Sequence, residues 1–351
     1  MRHRTGPRIL VIRRENIGDL VLTTPLIRAL REKFPDGYIA CLVNNYNAPV
    51  LVGNPDVDQV LAAEQNRHQE QGDRWQRFKR NLKLYFSAWR VRFDYVVLAT
   101  IVYQPKDVRL ARSFFPRQIV AFSNPRVKRG VDISVPSELI PAGHLVEELA
   151  VLGQAFNIVE ATGPSRVYPD PTQRTQALQA IEAEIPGSGA LVALHISSRS
   201  STQRWSAAKF VALAAELHQA TGCRFVLFWS PGAADNQRHP GDDEKANEIL
   251  TGTAGLPICG FPTETLDQLI AGLACCDTVI CSDGGAMHLA AALEKPIVCM
   301  FGNAEARRWY PWKVPHVLLQ ESSRIVEDIS VGSVTAAYQK LLRQILAQQA
   351  S

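Results

Sequence analysis

The stretch "DTVICSDGGAMHLAAALEKPIVCMFG" (residues 277–302) decides the fold. "DTVICS" (277–282) and "PIVCMFG" (296–302) are short apolar runs with β-branched residues, the pattern of buried strands. Between them "AMHLAAAL" is strongly helical, over about 285–293. Two strands joined by one crossover helix pair in parallel, so the unit is βαβ.

The same alternation extends in both directions. "ALVALHI" (190–196) and "RFVLFW" (224–229) are further strands, and helices are expected near 206–221, 242–251 and 264–274. An earlier series has strands at "RILVIR" (8–13), "YIACLV" (38–43), "VDQVLAA" (57–63), "DYVVLAT" (94–100) and "RQIVAF" (117–122). Its helical patterns lie at about 18–33, 71–91, 105–113 and 143–157. The Pro-, Gly- and Thr-rich "EATGPSRVYPDPTQ" (160–173) reads as the linker between the two series. The expected fold class is α/β, with two Rossmann-like doubly wound domains facing one another across a cleft, over residues 1–165 and 166–330. An amphipathic helix in 331–351 closes the chain and is expected to pack back toward the first domain.

Length and composition agree with this division. The 351 residues suffice for two full cores, and 46% hydrophobic with 21% charged residues is the balance of a globular protein. No apolar run reaches the roughly 20 residues of a membrane span, and the first residues lack a signal peptide's apolar stretch. A cytoplasmic protein is the expectation. Seven cysteines without a C-x-x-C pair read as buried thiols of a reducing compartment, and no metal site is expected. Charge is uneven. Through Ser165 there are 23 Lys and Arg against 16 Asp and Glu, and beyond it 15 against 18. The first half is the one expected to meet an anionic partner.

Ligands of open α/β sheets bind beyond the carboxyl ends of the strands, so the strand-to-helix loops are searched first. The loop "RRENIGDLVLTTP" (13–25) has neither the G-x-G-x-x-G of a dinucleotide fold nor the G-K-[ST] of a P-loop. Gly18 allows a tight turn, and Asp19 falls in the first helical turn. There it either complements the helix dipole or serves as a general base. Arg13, Arg14, Asn16 and Gly18 around it are the candidates for acceptor or anion contacts. The loop "HISSRSSTQRWSAAKF" (195–210) carries Ser197, Ser198, Gln203 and Arg204, where hydroxyls, backbone N–H groups and a guanidinium suit a phosphate. A polar loop with Ser206 as helix N-cap is the plainer reading. In the opening stretch Asp283 ends a strand and Gly284 and Gly285 permit close backbone approach. His288 then lies in the first turn of a helix, either as a satisfied histidine packed under a loop or where a bound anion would favour its charged form. "FGNAEARRWYPW" (301–312) forms another loop on the same rim.

"ILVIRRENIGDLVLTTPLIRALREKFP", "QRWSAAKFVALA" and the opening stretch together resemble the ADP-heptose:lipopolysaccharide heptosyltransferases, glycosyltransferase family 9. The motifs occur in the same order, and the resemblance covers nearly the whole chain. It implies a GT-B fold and a metal-independent, inverting transfer of heptose or a related sugar from a nucleotide sugar, ADP-linked, to a lipopolysaccharide core. No cofactor beyond that cosubstrate is implied. By the resemblance Asp19 is the general base, and Ser197, Ser198, Gly284, Gly285 and His288 hold the donor diphosphate with Asp283 bracing the loop. Glu244, or its neighbour Asp243, meets the nucleoside.

The chain departs from the family pattern at Gln203, where a lysine that binds the diphosphate is usual. Arg204 or Arg199 is then the candidate cation. Gly284 stands where Ser or Thr is usual. The insertion "SPGAADNQRHPGDDE" (230–244) is long, and "RREN" replaces a serine-rich lead. A different nucleotide sugar, an acceptor other than lipopolysaccharide, or a non-catalytic binding relative are the alternatives. The basic, aromatic-interleaved "DRWQRFKRNLKLYFSAWRVRFD" (73–94) reads either as a helix packed on the sheet or as a surface for a phosphorylated glycolipid or the anionic inner membrane. No nucleic-acid motif is present, and no such partner is expected.

Overall fold

The computed structural model describes residues 5–64, 84–123, 129–233 and 240–349. Residues 73–83 of the basic stretch, with Arg74, Trp75, Arg77, Phe78, Lys79, Arg80, Leu82 and Lys83, lie outside the described residues, as do 234–239 of the insertion. The chain divides into two compact units, Met1–Tyr168 and Pro169–Ser351.

In the first unit the elements are β1 (Arg8–Ile12), α1 (Ile17–Val21), α2 (Thr24–Lys33), β2 (Tyr38–Asn44) and β3 (Gln59–Ala63), then α3, described over residues 84–91. After these come β4 (Tyr95–Leu98), α4 (Pro105–Arg112), β5 (Gln118–Ser123), β6 (Ile133–Pro136) and α5 (Leu145–Ala150). The sheet runs β3-β2-β1-β4-β5-β6, with every pair parallel. Parallel strands covered on both faces must be apolar throughout, and β1 shows it, with Ile9, Leu10, Val11 and Ile12 all buried. Each such side chain contributes about 1.5–3 kcal/mol by leaving water.

The helical pattern at 18–33 forms two helices rather than one. Pro25 has no N–H to give and fits only a first helical turn, so a new helix starts at Thr24. The break is tied by Thr23, whose hydroxyl donates to Asp19 O at 2.8 Å, and by Thr24, which donates to Val21 O at 2.7 Å. The pattern at 143–157 is likewise a short α5 followed by a 3-10 segment, Val151–Phe156.

The second unit contains α6 (Pro171–Glu184), β7 (Leu191–His195), α7 (Ala207–Thr221), β8 (Arg224–Trp229), α8 (Asp243–Gly252), β9 (Ile258–Pro262) and α9 (Leu266–Cys275). It continues with β10 (Thr278–Ser282), α10 (Gly285–Ala292), β11 (Ile297–Phe301), α11 (Ala306–Trp309), β12 (His316–Gln320) and α12 (Val331–Gln349). Its parallel sheet runs β12-β11-β10-β7-β8-β9, the first unit's order repeated. Trp205 anchors the core beneath α7, its ring edge-on to Phe210 at 5.0 Å and its N–H donated to Ile329 O at 2.9 Å. Closing helix α12 packs on α7 and β12 and buries Val334, Tyr338 and Leu341 in that same core.

All seven cysteines are free thiols, and six are buried. Burial pushes Cys259 up to about 12. Among the described residues no helix is long and apolar enough to cross a membrane.

In each unit the chain leaves the first strand toward one side of the sheet and later returns to its other side. The reversal lies between β1 and β4 and between β7 and β10. Loops at such reversals splay apart and leave a crevice at the strands' carboxyl ends. The loops holding Asp19, Ser198 and Asp283 all stand there.

Candidate active site

At the first unit's reversal point, Asp19 is the third residue of α1, and Asn16 is its N-cap. Asp19 Oδ2 accepts from both the backbone N–H and the side-chain amide of Asn16, each at 3.0 Å. Arg13 Nη2 donates to Oδ1 at 2.8 Å. Arg13 is 4% exposed and Asp19 9%, so the pair is largely withdrawn from water. The guanidinium also donates to Ala99 O, just past β4, and lies 3.4 Å from Glu15 Oε2. Arg13 thereby bridges the crevice floor from β1 to β4. Burial raises the Glu15 carboxyl, and Arg13 opposes that rise. Arg14 turns away, its Nε donating to Asn44 Oδ1 at 3.4 Å, beside β2. Gly18 is buried within α1. Asp19, Arg13 and Asn16 thus form one bonded group, and Arg14 belongs to its flank.

The second unit's loops are tied to one another. Gln203 Nε2 donates to Asp283 Oδ2 at 2.8 Å, while its Oε1 accepts from Ser198 Oγ at 3.1 Å. One neutral amide therefore spans the crevice between the β7 and β10 loops. Burial pushes the Asp283 carboxyl up to about 6, with the Gln203 hydrogen bond opposing. Ser197 Oγ accepts from Ser230 N at 2.9 Å, joining the β7 loop to the end of β8. Gly284 has φ +155°, a conformation L side chains rarely adopt, and a Cβ there would meet nothing within 4 Å. Space beside the α10 N-terminus is therefore open, and N–H groups of an eight-residue helix begin there. His288 is 3% exposed, its ring edge-on to Trp309 at 6.0 Å.

Arg204 has a structural attachment. Its Nη1 donates to Asp242 Oδ1 at 2.8 Å and its Nε to Ser198 O at 2.9 Å. Asp242 is the residue before α8, so this ion pair fixes the start of that helix against the β7 loop. Lys245, one turn into α8, adds a bond to Ile196 O at 3.0 Å, and burial lowers its ammonium to about 8. Of the two acidic neighbours, Asp243 accepts from Trp229 Nε1 at 2.7 Å and from Gly232 N at 2.9 Å. Glu244 is exposed in the first turn of α8.

Several residues here escaped the sequence reading. Asp242 stands beside the acidic pair that was weighed, and its pairing with Arg204 crosses 38 positions. Trp309 lies in a loop recognised only as part of the rim. The first unit's bonded group can offer a carboxylate to accept a proton. The second unit's loops can, separately, offer hydroxyls, helix N–H groups and a histidine to an anion. Among the described residues no group of three or more His, Cys, Asp and Glu side chains is arranged to hold a metal ion.

The family model described as glycosyltransferase family 9 (heptosyltransferase) matches residues 138–327. Lipopolysaccharide heptosyltransferase 3 of Escherichia coli strain K12 is 24% identical over 347 residues, which cover 93% of this chain and 95% of that protein. The crystal structure of a family 9 glycosyl transferase from Veillonella parvula superposes with a TM-score of 0.79 at 19% identity, covering 96% of this chain and 98% of the other. E. coli heptosyltransferase WaaC, solved with ADP, superposes with a TM-score of 0.74 at 15% identity, over 95% and 99% of the two chains. The fold is that of these proteins: GT-B, with two Rossmann-like domains.

Proposed function

The chain belongs to glycosyltransferase family 9, and from that membership we propose that it transfers a heptose from ADP-heptose to a lipopolysaccharide core, with Asp19 as general base. One observation carries this reading: a buried carboxylate fixed at the carboxyl end of β1 by Arg13 and Asn16, with one acceptor position on Oδ1 left for a further proton.

The acceptor hydroxyl gives its proton to Asp19 as its oxygen attacks the anomeric carbon. The bond from that carbon to the diphosphate oxygen breaks in the same displacement, so the configuration inverts. The electron pair leaves with the diphosphate. Gly284, Gly285 and His288 at the start of α10, with Ser197 and Ser198, offer it hydrogen bonds. Glu244 meets the ribose hydroxyls of the nucleoside. The reaction needs no metal, so chelator leaves the rate unchanged.

The acceptor is a phosphorylated glycolipid, and the protein works at the cytoplasmic face of the inner membrane. Exposed aromatic rings support this: Phe115, 78% exposed, touches the Trp89 ring on α3, while Arg90 stands over Phe86. Rings and arginines together suit an anionic interface. Co-sedimentation with anionic but not neutral vesicles is the expected result.

The deciding experiment is Asp19→Ala assayed for transfer and, separately, for ADP binding by calorimetry. Transfer is lost and ADP binding kept. Full turnover in the variant would remove Asp19 from the role of base.

A further inference from the structure

The strand-end loops of the second unit hold their cations in uneven ways. Arg204 is bonded to the Asp242 carboxylate, and Lys245 lies beneath the loop on Ile196 O. Gln203, in the middle, is neutral and bonded to the Asp283 carboxyl. A diphosphate arriving at Gly284 and Gly285 would meet an acidic side chain whose bonded partner carries no charge. Oxygens bearing about two negative charges are held best with a cation nearby.

The next loop of the rim supplies one. After β11 the chain turns through Asn303 into α11, which ends in Arg307, Arg308 and Trp309. This turn is held in place at several points. Gln320 Nε2 donates to Gly302 O at 2.8 Å and to Ala304 O at 3.0 Å. Thr202 Oγ1 donates to Asn303 Oδ1 at 3.3 Å, which joins the turn to the β7 loop. Gly302 lies so close to that loop that a Cβ would meet Thr202 O at 2.6 Å. Trp309 then sets its ring edge-on to His288, and the Arg308 guanidinium stands over the other ring of the pair, 5.3 Å from the Trp309 centroid. A stacked arginine loses little further freedom when it pairs with phosphate, since its planar fork is already oriented.

We propose that Arg308, held over Trp309 beside His288, is a ligand for the diphosphate of the nucleotide donor and provides the charge that Gln203 does not. This rests on the nucleotide-sugar reading above. Arg308 acts with His288 on the leaving group, and Trp309 positions it.

The test uses the full chain and calorimetry with ADP and AMP, which differ by the phosphate in question. Arg308→Ala is expected to weaken ADP about tenfold or more while AMP changes less than about twofold, the loss of one charge-assisted pair. Arg308→Gln, which keeps the side chain's bulk, gives the same result if charge is what matters. Introducing Gln203→Lys into the Arg308→Ala protein is expected to restore part of the ADP preference. Unchanged ADP affinity in Arg308→Ala and Arg308→Gln overturns the proposal, as does an equal loss of ADP and AMP. Absence of ADP binding by the unaltered protein overturns the nucleotide reading itself, a result distinct from either.

Discussion

The Arg13 guanidinium and the Asp19 carboxylate meet at 2.8 Å, six residues apart in the chain, with side chains 5% and 12% exposed. One belongs to the exit of β1 and the other to the first turn of α1. The same guanidinium reaches Ala99 beyond β4. The catalytic candidate is thus oriented by the strand pair that defines the crevice.

Arg13→Met leaves the carboxylate buried with only the Asn16 donors. Removing one partner of a buried pair costs about 3–5 kcal/mol. Denaturant unfolding is expected to fall by about that much. Asp19→Asn in the Arg13→Met background should recover part of the loss, because no uncompensated charge is left. A double-mutant coupling near zero would mean the two side chains act independently.

The Asp283 carboxyl gives a pH signature. Burial holds it at about 6 against an ordinary 3.8, so the folded protein keeps a proton the unfolded chain has released between those values. Its contribution to stability therefore falls as pH rises through that window and is level above it, while buried His195, held down at about 4, contributes the opposite slope. Asp283→Asn removes only the first of these contributions. Thermal melts across the window, compared for the two proteins, check it; parallel curves would show that another group is responsible.

What the sequence disclosed and what it concealed follow from physical differences between segments. Strands such as Arg224–Trp229 are buried along their whole length and announce themselves as apolar runs. β6, β9 and β12, three of the four edge strands, escaped because they lack a continuous buried apolar run. Ile133–Pro136 and Ile258–Pro262 mix Pro, Gly or Ser with few buried positions, and His316–Gln320 is mostly half-exposed. Helix Pro171–Glu184 escaped too, since it buries only Ala177 and Ile181 and has almost no apolar stripe. The positions of Asp19, Ser198, Asp283 and His288 at strand ends or in the first turn of the following helix could be read because those segments have distinctive composition. Their partners could not. The choice of Asp242 by Arg204, or of Asp283 by Gln203, is made across 38 and 80 residues by sheet order. No local pattern encodes it.

Gly302 tests how closely the donor loops are fitted. An alanine Cβ would stand 2.6 Å from Thr202 O, a backbone atom with little room to retreat. Gly302→Ala is expected to cost about 1–3 kcal/mol, as overpacking does, and to weaken ADP binding by shifting the β7 loop. Gly332→Ala is the control. A Cβ there meets nothing within 4 Å, and the site is in helix α12, so stability should rise by about 0.4–1 kcal/mol. Equal effects of the two substitutions would refute the close fit.

Arg204 is the residue for which a phosphate role and a structural role make opposite predictions. Its partner Asp242 is almost wholly buried at the start of α8, so Arg204→Met strands a charge beneath the β7 loop. The expected loss is up to about 3–5 kcal/mol, less because the arginine side chain itself is partly exposed. If the tie is structural, adding Asp242→Asn should return most of that stability, since an amide is far cheaper to bury than an unpaired carboxylate. ADP affinity should recover with it, because the loop regains its position although the guanidinium is still missing. If Arg204 instead bound phosphate directly, the double variant would be stable and would still bind ADP poorly. Melting curves and calorimetry on the single and double variants separate the two outcomes. Recovery of both properties together is the expected one, and it would remove Arg204 from the role of phosphate ligand.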